Sequence, residues 1–147
     1  MNILPYDSTR DLDLYIEGEL ASIKNSIPSM KLENYIVEGI KESYKRMVNS
    51  EALSGFTALY EEPVGFIVVS KESQMDQPYG LVRNLYVGKK GRGRLVWKAL
   101  SSHAEEYFRN MGIHKVAMEI YEPNKSAYEL ALHEGFSVAH YHMEKTI

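Results

Sequence analysis

The sequence predicts an α/β fold in which helices pack on a β-sheet, as a single domain over residues 1–147. Segments that alternate apolar and polar residues, as strands do, are interspersed with segments that have the 3.6-residue period of amphipathic helices. A hydrophobic content of 44% in 147 residues is sufficient for one buried core. The predicted order of elements is β-α-α-β-β-β-α-β-α-β.

The first third of the chain predicts a strand and two helices. Residues 2–6 predict a short strand, whose proline restricts it to an edge or an end of the sheet. Asp7 or Ser8 is a suitable N-cap for a helix over residues 9–24. After a loop that contains proline, serine and asparagine, apolar residues at helical spacing predict a second helix over residues 32–49.

Three strands are predicted next. Residues 55–60 and 64–70 indicate two strands joined by a turn. The second of these is almost continuously apolar, which is typical of a central strand that is buried on both faces. Residues 71–78 are polar and predict a link to another strand over residues 79–87.

The last third alternates between helices and strands. Apolar residues at helical spacing from Val96 onward predict a long amphipathic helix that ends at Gly112. Alternation predicts a strand over residues 114–121, followed by a helix over residues 124–133. A final strand is expected over residues 137–145.

The segment from Asn84 to Lys98 is the strongest candidate for a binding site. It runs from an apolar strand through a glycine-containing loop into a helix, and helix N-termini bind anions through unpaired N–H groups and the helix dipole. The chain has a net charge of −3, yet the region between Gln77 and Ala104 contains no acidic residue. A phosphate-bearing ligand is one interpretation, and an exposed basic loop without a ligand is the other. The basic residues of this region are Arg83, Lys89, Lys90, Arg92, Arg94 and Lys98.

Composition and spacing exclude several other classes of site. The absence of cysteine removes disulfides, thiolate nucleophiles and cysteine-based metal sites. His140 and His142 alternate in the last predicted strand without a third ligand, so no metal site is predicted. An ATP-type phosphate loop requires Lys and Ser or Thr where Arg94 and Leu95 stand.

Composition also bears on partners and location. The acidic balance outside the loop argues against nucleic-acid binding. The sequence has no apolar run of bilayer length and no signal-peptide pattern, so we expect a cytoplasmic protein that does not enter a membrane.

Several short motifs resemble the GNAT family of N-acetyltransferases. The resemblance covers about half of the chain and implies a mixed, mostly antiparallel sheet with flanking helices. It implies acetyl-CoA as co-substrate and acetyl transfer to an amine, with the thioester entering between the splayed fourth and fifth strands and the pyrophosphate bound at the following loop. The matching segments are Val64-Gly65-Phe66, Leu85-Tyr86-Val87, Asn124-x-x-Ala127, Gly135-Phe136 and Met143-Glu144-Lys145.

The loop departs from the pattern of this family, which reads Arg/Gln-x-x-Gly-x-Gly/Ala. Counted without gaps, Arg92 takes the first place, whereas Leu95 and Trp97 take the two places of small residues. A gapped alternative aligns the glycines of residues 91–93 and adds about one turn to the helix that follows. We prefer the ungapped count, although its side chains crowd the oxygens that backbone N–H groups would contact.

The resemblance implies a set of residues for the cofactor. Strand residues would present backbone groups to the pantetheine arm, loop residues would hold the phosphates, and Asn124 would contact the pantetheine region. Lys89 and Lys90 would lie near the adenosine 3′-phosphate. The full set is Leu85, Tyr86, Val87, Lys89, Lys90, Arg92, Gly93, Arg94, Leu95, Val96, Trp97, Lys98 and Asn124.

The catalytic candidates are an acid and a base. Many family members carry a tyrosine where Ala131 stands, and Tyr128 lies three residues earlier on the same helix. Tyr128 is therefore the candidate acid, with packing against the sheet as the structural alternative. Glu119 is the candidate base and Glu122 another, with exposed glutamates that have no role as the alternative. His103 and His133 are interpreted as packing or capping residues.

Two functions remain at this point. The first is acetyl transfer from acetyl-CoA to a primary amine of a small molecule, a polyamine or a peptide, by direct attack within a ternary complex. The acidic surface outside the loop favours a cationic acceptor. The second is a binding or regulatory module that keeps the fold without catalysis, in which an exposed Trp97 contacts a protein. A homodimer is one option for its assembly.

Overall fold

A computed structural model describes residues 1–147 and shows five strands in one mixed sheet. The sheet order is β1-β2-β3-β4-β5, with antiparallel pairing among the first four strands and parallel pairing between β4 and β5. The α/β fold with a mostly antiparallel sheet is thus confirmed. The elements are β1 (Asn2–Pro5), α1 (Ser8–Ser26), α2 (Asn34–Arg46), β2 (Ser54–Leu59), β3 (Pro63–Gln74), β4 (Gln77–Val87), α3 (Val96–Asn110), β5 (Val116–Met118) and α4 (Lys125–His133).

Helices cover both faces of the sheet, and each face has its own apolar cluster. Helix α3 packs on one face through Val96, Leu100 and Phe108, which are fully buried. On the other face, α1 and α2 cover an aromatic cluster in which the rings of Tyr15 and Phe66 stack with centroids 4.0 Å apart. None of the helices is long and apolar enough to cross a membrane.

Helix α1 has a capped N-terminus and a close contact with the sheet at its middle. Asp7 caps its N-terminus, as the sequence predicted, by accepting a hydrogen bond from Thr9 N at 2.8 Å. Further along, Gly18 lies against the sheet so closely that a Cβ there would be 2.4 Å from the ring of Phe66 and 2.9 Å from Cβ of Tyr86. The helix therefore crosses β3 and β4 at Gly18 with its backbone almost in contact with them.

The prediction of a polar link over residues 71–78 was wrong. Strands β3 and β4 continue through this region as a two-stranded ribbon that turns at Met75 and Asp76. Both turn residues have positive φ angles, 50° and 61°, which suit the twist of a tight hairpin. The ribbon extends beyond the core and its residues are mostly exposed, which explains their polarity. No Asn-Gly or Asp-Gly pair marked the turn.

The end of the chain also differs from the prediction. Strand β5 is limited to three residues within the predicted range 114–121, and residues 137–147 form no strand. A strand needs a paired neighbour, and the outer edge of β5 is too short to pair with nine residues. The apolar residues Val138, Tyr141 and Met143 also do not keep a two-residue period, and all three are exposed.

Candidate active site

Strands β4 and β5 separate partway along β4. They pair only where Gly80, Leu81 and Val82 face β5, whereas β4 continues to Val87. A β-bulge marks the point of separation: Val69 pairs with Val82 and Val68 pairs with Asn84, so Arg83 is the extra residue. The bulge bends β4 away from β5 and leaves one edge of the strand open.

The bulge also determines which backbone groups face the open edge. Gly88 N donates to Val64 O on the β3 side at 2.8 Å. Since residues of an antiparallel strand point their backbone groups alternately to the two sides, Leu85 and Val87 direct their N–H and C=O groups to the open edge. The contact of these two residues with the pantetheine arm stays a prediction. The side chain of Tyr86 lies on the α1 face near Phe66.

The space between the separated strands is a narrow cavity of about 20 Å³. Its floor and walls are apolar side chains of β4 and β5, and α3 contributes Ala104 and Glu105. Glu134 and Phe136, at the end of α4, also line it. The cavity is about the size of one water molecule, so a ligand that enters must displace one of these walls.

The N-terminus of α3 lies directly after the open strand and is uncapped. Leu95 is the N-cap residue, makes no side-chain cap, and has a left-handed backbone with φ of 54°. The N–H groups of Gly93, Leu95, Val96, Trp97 and Lys98 have no hydrogen-bond acceptor in the chain. Together with the helix dipole, they form a concentrated set of donors suited to an anion.

The basic residues of the loop fall into two groups. Lys90 pairs with Glu62, and the Arg94 guanidinium lies over the ring of Tyr60 at 4.5 Å from its centroid. Lys89, Arg92 and Lys98 are exposed and have no acidic partner. The positive potential at the end of α3 is therefore only partly neutralised within the chain.

The backbone distinguishes the two alignments of the loop. Helix α3 begins at Val96, so the additional turn that the gapped alignment requires is absent. The ungapped alignment places its first small residue at Leu95, whose left-handed backbone favours glycine, as does that of Gly93 two residues earlier. Trp97, at the second such place, is half-buried and its ring lies 6.3 Å from that of His133.

A family model described as the acetyltransferase (GNAT) family matches residues 21–136, which is most of the chain. The chain belongs to the GNAT family. The splayed strands and the donor-rich helix end described above are thus features of a GNAT acetyltransferase domain. A comparison with curated protein sequences gives no significant match.

Solved structures agree with this GNAT fold. A ribosomal-protein-alanine N-acetyltransferase from Brucella melitensis biovar Abortus 2308 has a TM-score of 0.72 at 12% identity, with 100% of both chains covered. A predicted acetyltransferase from Clostridium acetobutylicum, crystallised with acetyl-CoA, has a TM-score of 0.72 at 12% identity, with coverage of 99% and 95%. Aminoglycoside N-acetyltransferase AAC(6')-Iy in complex with CoA has a TM-score of 0.71 at 16% identity, with coverage of 99% and 93%.

Helix α4 of this GNAT chain exposes Tyr128, the candidate acid, and buries Ala131 three residues later. Tyr128 is 41% exposed and makes no side-chain hydrogen bond, and its role as the acid stays a prediction. Ala131, at the place where the family resemblance implies a tyrosine, is buried. Asn124 caps α4, since its Oδ1 accepts from Ala127 N at 3.3 Å, which leaves its Nδ2 without a partner.

The candidate bases and histidines have simple surroundings. Glu119 follows β5 directly, is exposed and has no ion-pair partner, whereas Glu122 pairs with Lys125. Burial beside Phe56 lowers the pKa of His103, which lies on α3 away from the open edge of β4. No group of three or more His, Cys, Asp or Glu side chains could hold a metal ion.

A further cluster, which no sequence pattern had indicated, lies at the point where β4 leaves β5. Glu19 of α1 accepts hydrogen bonds from the Tyr44 hydroxyl at 2.9 Å and from Asn84 Nδ2 at 3.2 Å. The three residues are far apart along the chain and come together only because α1 crosses β4 next to α2. Apart from the polar character of Asn84 directly before the apolar residues 85–87 of β4, no sequence signal could have found them.

Proposed function

We propose that this chain transfers the acetyl group of acetyl-CoA to a primary amine by direct attack within a ternary complex. The observation that carries the proposal is the continuity of two unsatisfied surfaces. The open backbone edge at Leu85 and Val87 leads, through the loop, into the unpaired N–H groups at the N-terminus of α3.

The phosphate end of acetyl-CoA fits the donor set at α3. The N–H groups of residues 95–98 supply hydrogen bonds to the pyrophosphate oxygens, and Arg92 and Lys98 supply charge. Lys89 and Lys90 are assigned to the adenosine 3′-phosphate, for which Lys90 must leave Glu62. The Leu95 side chain is 62% exposed and can turn away, so its bulk weakens this binding without preventing it.

The pantetheine arm extends β4 as an additional strand would. Its amides pair with the backbone groups of Leu85 and Val87, and Asn124, whose Nδ2 has no partner within the chain, is assigned to the pantetheine region. Because the present cavity is about the size of one water molecule, Phe136 and the end of α4 move outward when the arm enters.

The chemistry requires a neutral amine and a protonated leaving group. Bound acetyl-CoA supplies an activated thioester carbonyl. The amine nitrogen forms a bond to this carbonyl carbon, the carbon–sulfur bond breaks, and the nitrogen loses one proton and keeps the other as the amide N–H. Glu119 is assigned as a proton acceptor at the end of β5, and Tyr128 as the donor to the departing sulfur.

The acceptor remains a small-molecule, polyamine or peptide amine. The solved structures cited above include enzymes named for ribosomal-protein alanine and for aminoglycosides, which differ widely in size. We place the reaction in the cytoplasm, with a homodimer as one assembly.

A second candidate function is a GNAT-fold binding module without catalysis. Leu95 and Trp97 at the places of small residues, and Ala131 at the place of the tyrosine, favour it. In that case the exposed Leu95 and the half-buried Trp97 contact a protein partner in place of the cofactor.

Calorimetric titration with acetyl-CoA, followed in parallel by Trp97 fluorescence, separates the two functions. Acetyl transfer predicts micromolar binding that is about 10- to 100-fold weaker in Arg92→Gln, since a hydrogen bond to a charged group is lost. Arg46→Gln, which removes an exposed arginine on α2 paired with Glu42, is the matched control and keeps wild-type affinity. Absence of binding at millimolar acetyl-CoA would exclude acetyl transfer and favour the binding module.

A further inference from the structure

The Glu19 carboxylate is held in place but keeps one oxygen free. The Tyr44 hydroxyl and Asn84 Nδ2 both donate to Oε2. Oε1 has no hydrogen-bond partner. Every buried side-chain oxygen in the chain has such a partner, so Oε1 is not buried and is accessible to solvent. Glu19 therefore presents a fixed acceptor atom at the surface between α1 and β4.

The charge of Glu19 is not neutralised within the chain. None of the ion pairs involves Glu19, and its two donors are neutral groups. Burial, together with the charge of Glu19, raises the pKa of the Tyr44 phenol, which stays protonated and continues to donate. The nearest cation along β4, Arg83, is directed to Ser70 and Glu72 instead. A half-buried carboxylate with neutral donors only is suited to a cation from outside.

Glu19 lies close to the start of the open edge of β4. Because Arg83 is the bulged residue, it and Asn84 both lie on the face covered by α1 and α2. Asn84 precedes Leu85, the first residue whose backbone groups face the open edge. Glu19 is thus fixed, through Asn84, beside the place where the strands part.

We propose that Glu19 Oε1 binds the ammonium group of the acceptor, which makes the acceptor a cationic alkylamine. The catalytic effect of this assignment rests on the proposed acetyl transfer, whereas the binding of the ammonium group to Glu19 does not. Glu19 holds the ammonium beside the open edge of β4, Tyr44 and Asn84 orient the carboxylate, and Oε1 takes one proton from nitrogen before the attack on the thioester. Amines that are uncharged at neutral pH gain nothing from this contact.

The binding step can be measured without acetyl-CoA. In the full-length ¹⁵N-labelled protein, the side-chain amide resonance of Asn84 reports on Glu19. Titration with n-butylamine is expected to move this resonance saturably, whereas n-butanol, which is similar in size but uncharged, leaves it unmoved. Glu19→Gln keeps the shape and abolishes the response, while Glu38→Gln, an exposed acid on α2, retains it. No response in the wild-type protein, or an equal response in Glu19→Gln, would overturn the inference.

The catalytic consequence is a change in acceptor preference. In Glu19→Gln, kcat/KM for n-butylamine is expected to fall about 10- to 100-fold, as for loss of a hydrogen bond to a charged group, and kcat/KM for neutral methoxyamine stays unchanged. Glu19→Asp keeps the charge and retains the preference for the cation. An equal loss for both amines would show a structural role only. If wild type binds n-butylamine at Glu19 but acetylates no amine, the proposed function fails and only the ammonium binding at Glu19 stands.

Discussion

The face of the sheet covered by α1 and the N-terminal end of α3 differ in how many polar groups have partners. On the α1 face, buried Asp11 accepts from Asp7 N, from two nitrogens of Arg10 and from Thr57 Oγ1, all at 2.6–3.0 Å. At α3, five backbone N–H groups have no acceptor, and three cations have no acid. The buried groups around Asp11 all have partners within the chain, whereas the N-terminal end of α3 has donors and charges that an anion would satisfy.

This difference predicts that the α1 face contributes mainly to the stability of the fold and the N-terminal end of α3 mainly to ligand binding. The buried polar groups around Asp11 all have partners, and burial with the charges of Asp11 and Asp7 raises the pKa of Tyr6 to about 12, so this phenol is neutral at physiological pH. The α3 end contributes little to stability by itself, since its five N–H groups make no hydrogen bond within the chain. Substitutions on the two sides should therefore separate into those that change unfolding and those that change ligand affinity.

The largest effect is expected from Asp11→Ala. Removal of the carboxylate leaves Thr57 and the Arg10 guanidinium without their buried acceptor, at a cost of about 3–5 kcal/mol in the free energy of unfolding. Urea denaturation followed by circular dichroism measures this cost. Asp13→Ala, an exposed acid on the same helix, is the control and should change stability by less than about 0.5 kcal/mol. A comparable loss in Arg92→Ala would contradict the division between the two regions.

A smaller effect is expected where α1 crosses the sheet. Gly18→Ala places a methyl group 2.4 Å from the Phe66 ring, and overpacking of this kind costs about 1–3 kcal/mol. Gly39→Ala on α2 is a matched substitution, because nothing lies within 4 Å of its added Cβ. There the helix propensity of alanine should stabilise the protein by about 0.5–1 kcal/mol. Shifts of opposite sign in the denaturation midpoints of the two variants, relative to wild type, would support the close contact at Gly18. Shifts of the same sign would refute it.

The parts of the fold that sequence predicted are those with a strong local period. The helices were placed within three residues at each end, and the apolar runs of β3 and β4 identified the centre of the sheet. The ribbon beyond residue 70 was missed because its polar residues contribute hydrogen bonds in the ladder but no apolar pattern. The predicted last strand failed because pairing, which the sequence does not show, is absent.

The candidate site was predictable to the same extent. The loop and its cations could be identified in the sequence because they are contiguous. Leu85 and Val87 could be assigned to the same site because they directly precede the loop in the chain. The bulge at Arg83 was not predictable, since it depends on the register between two strands. Glu19, Tyr44 and Asn84 were missed because their association depends on tertiary packing. The roles of Glu119 and Tyr128 remain predictions.

Leu95→Gly tests the α3 end itself, with the smallest expected change in stability. A left-handed backbone costs a residue with a Cβ about 1 kcal/mol, so glycine should relieve this strain and raise the free energy of unfolding by up to about 1 kcal/mol, despite greater freedom in the unfolded chain. Gly93→Ala is the reverse control, because φ of 76° there predicts a loss of similar size. Both are measured by urea denaturation.

The same substitution should also strengthen acetyl-CoA binding, because the N–H groups around residue 95 become accessible without a side chain over them. On the α1 face, by contrast, no substitution is expected to raise stability and cofactor affinity together. If Leu95→Gly lowered stability, residue 95 would not have the strained left-handed backbone that glycine is expected to relieve. If it raised stability but left calorimetric affinity unchanged, the donors at α3 would not be the cofactor site, and the binding module would become the better account of this loop.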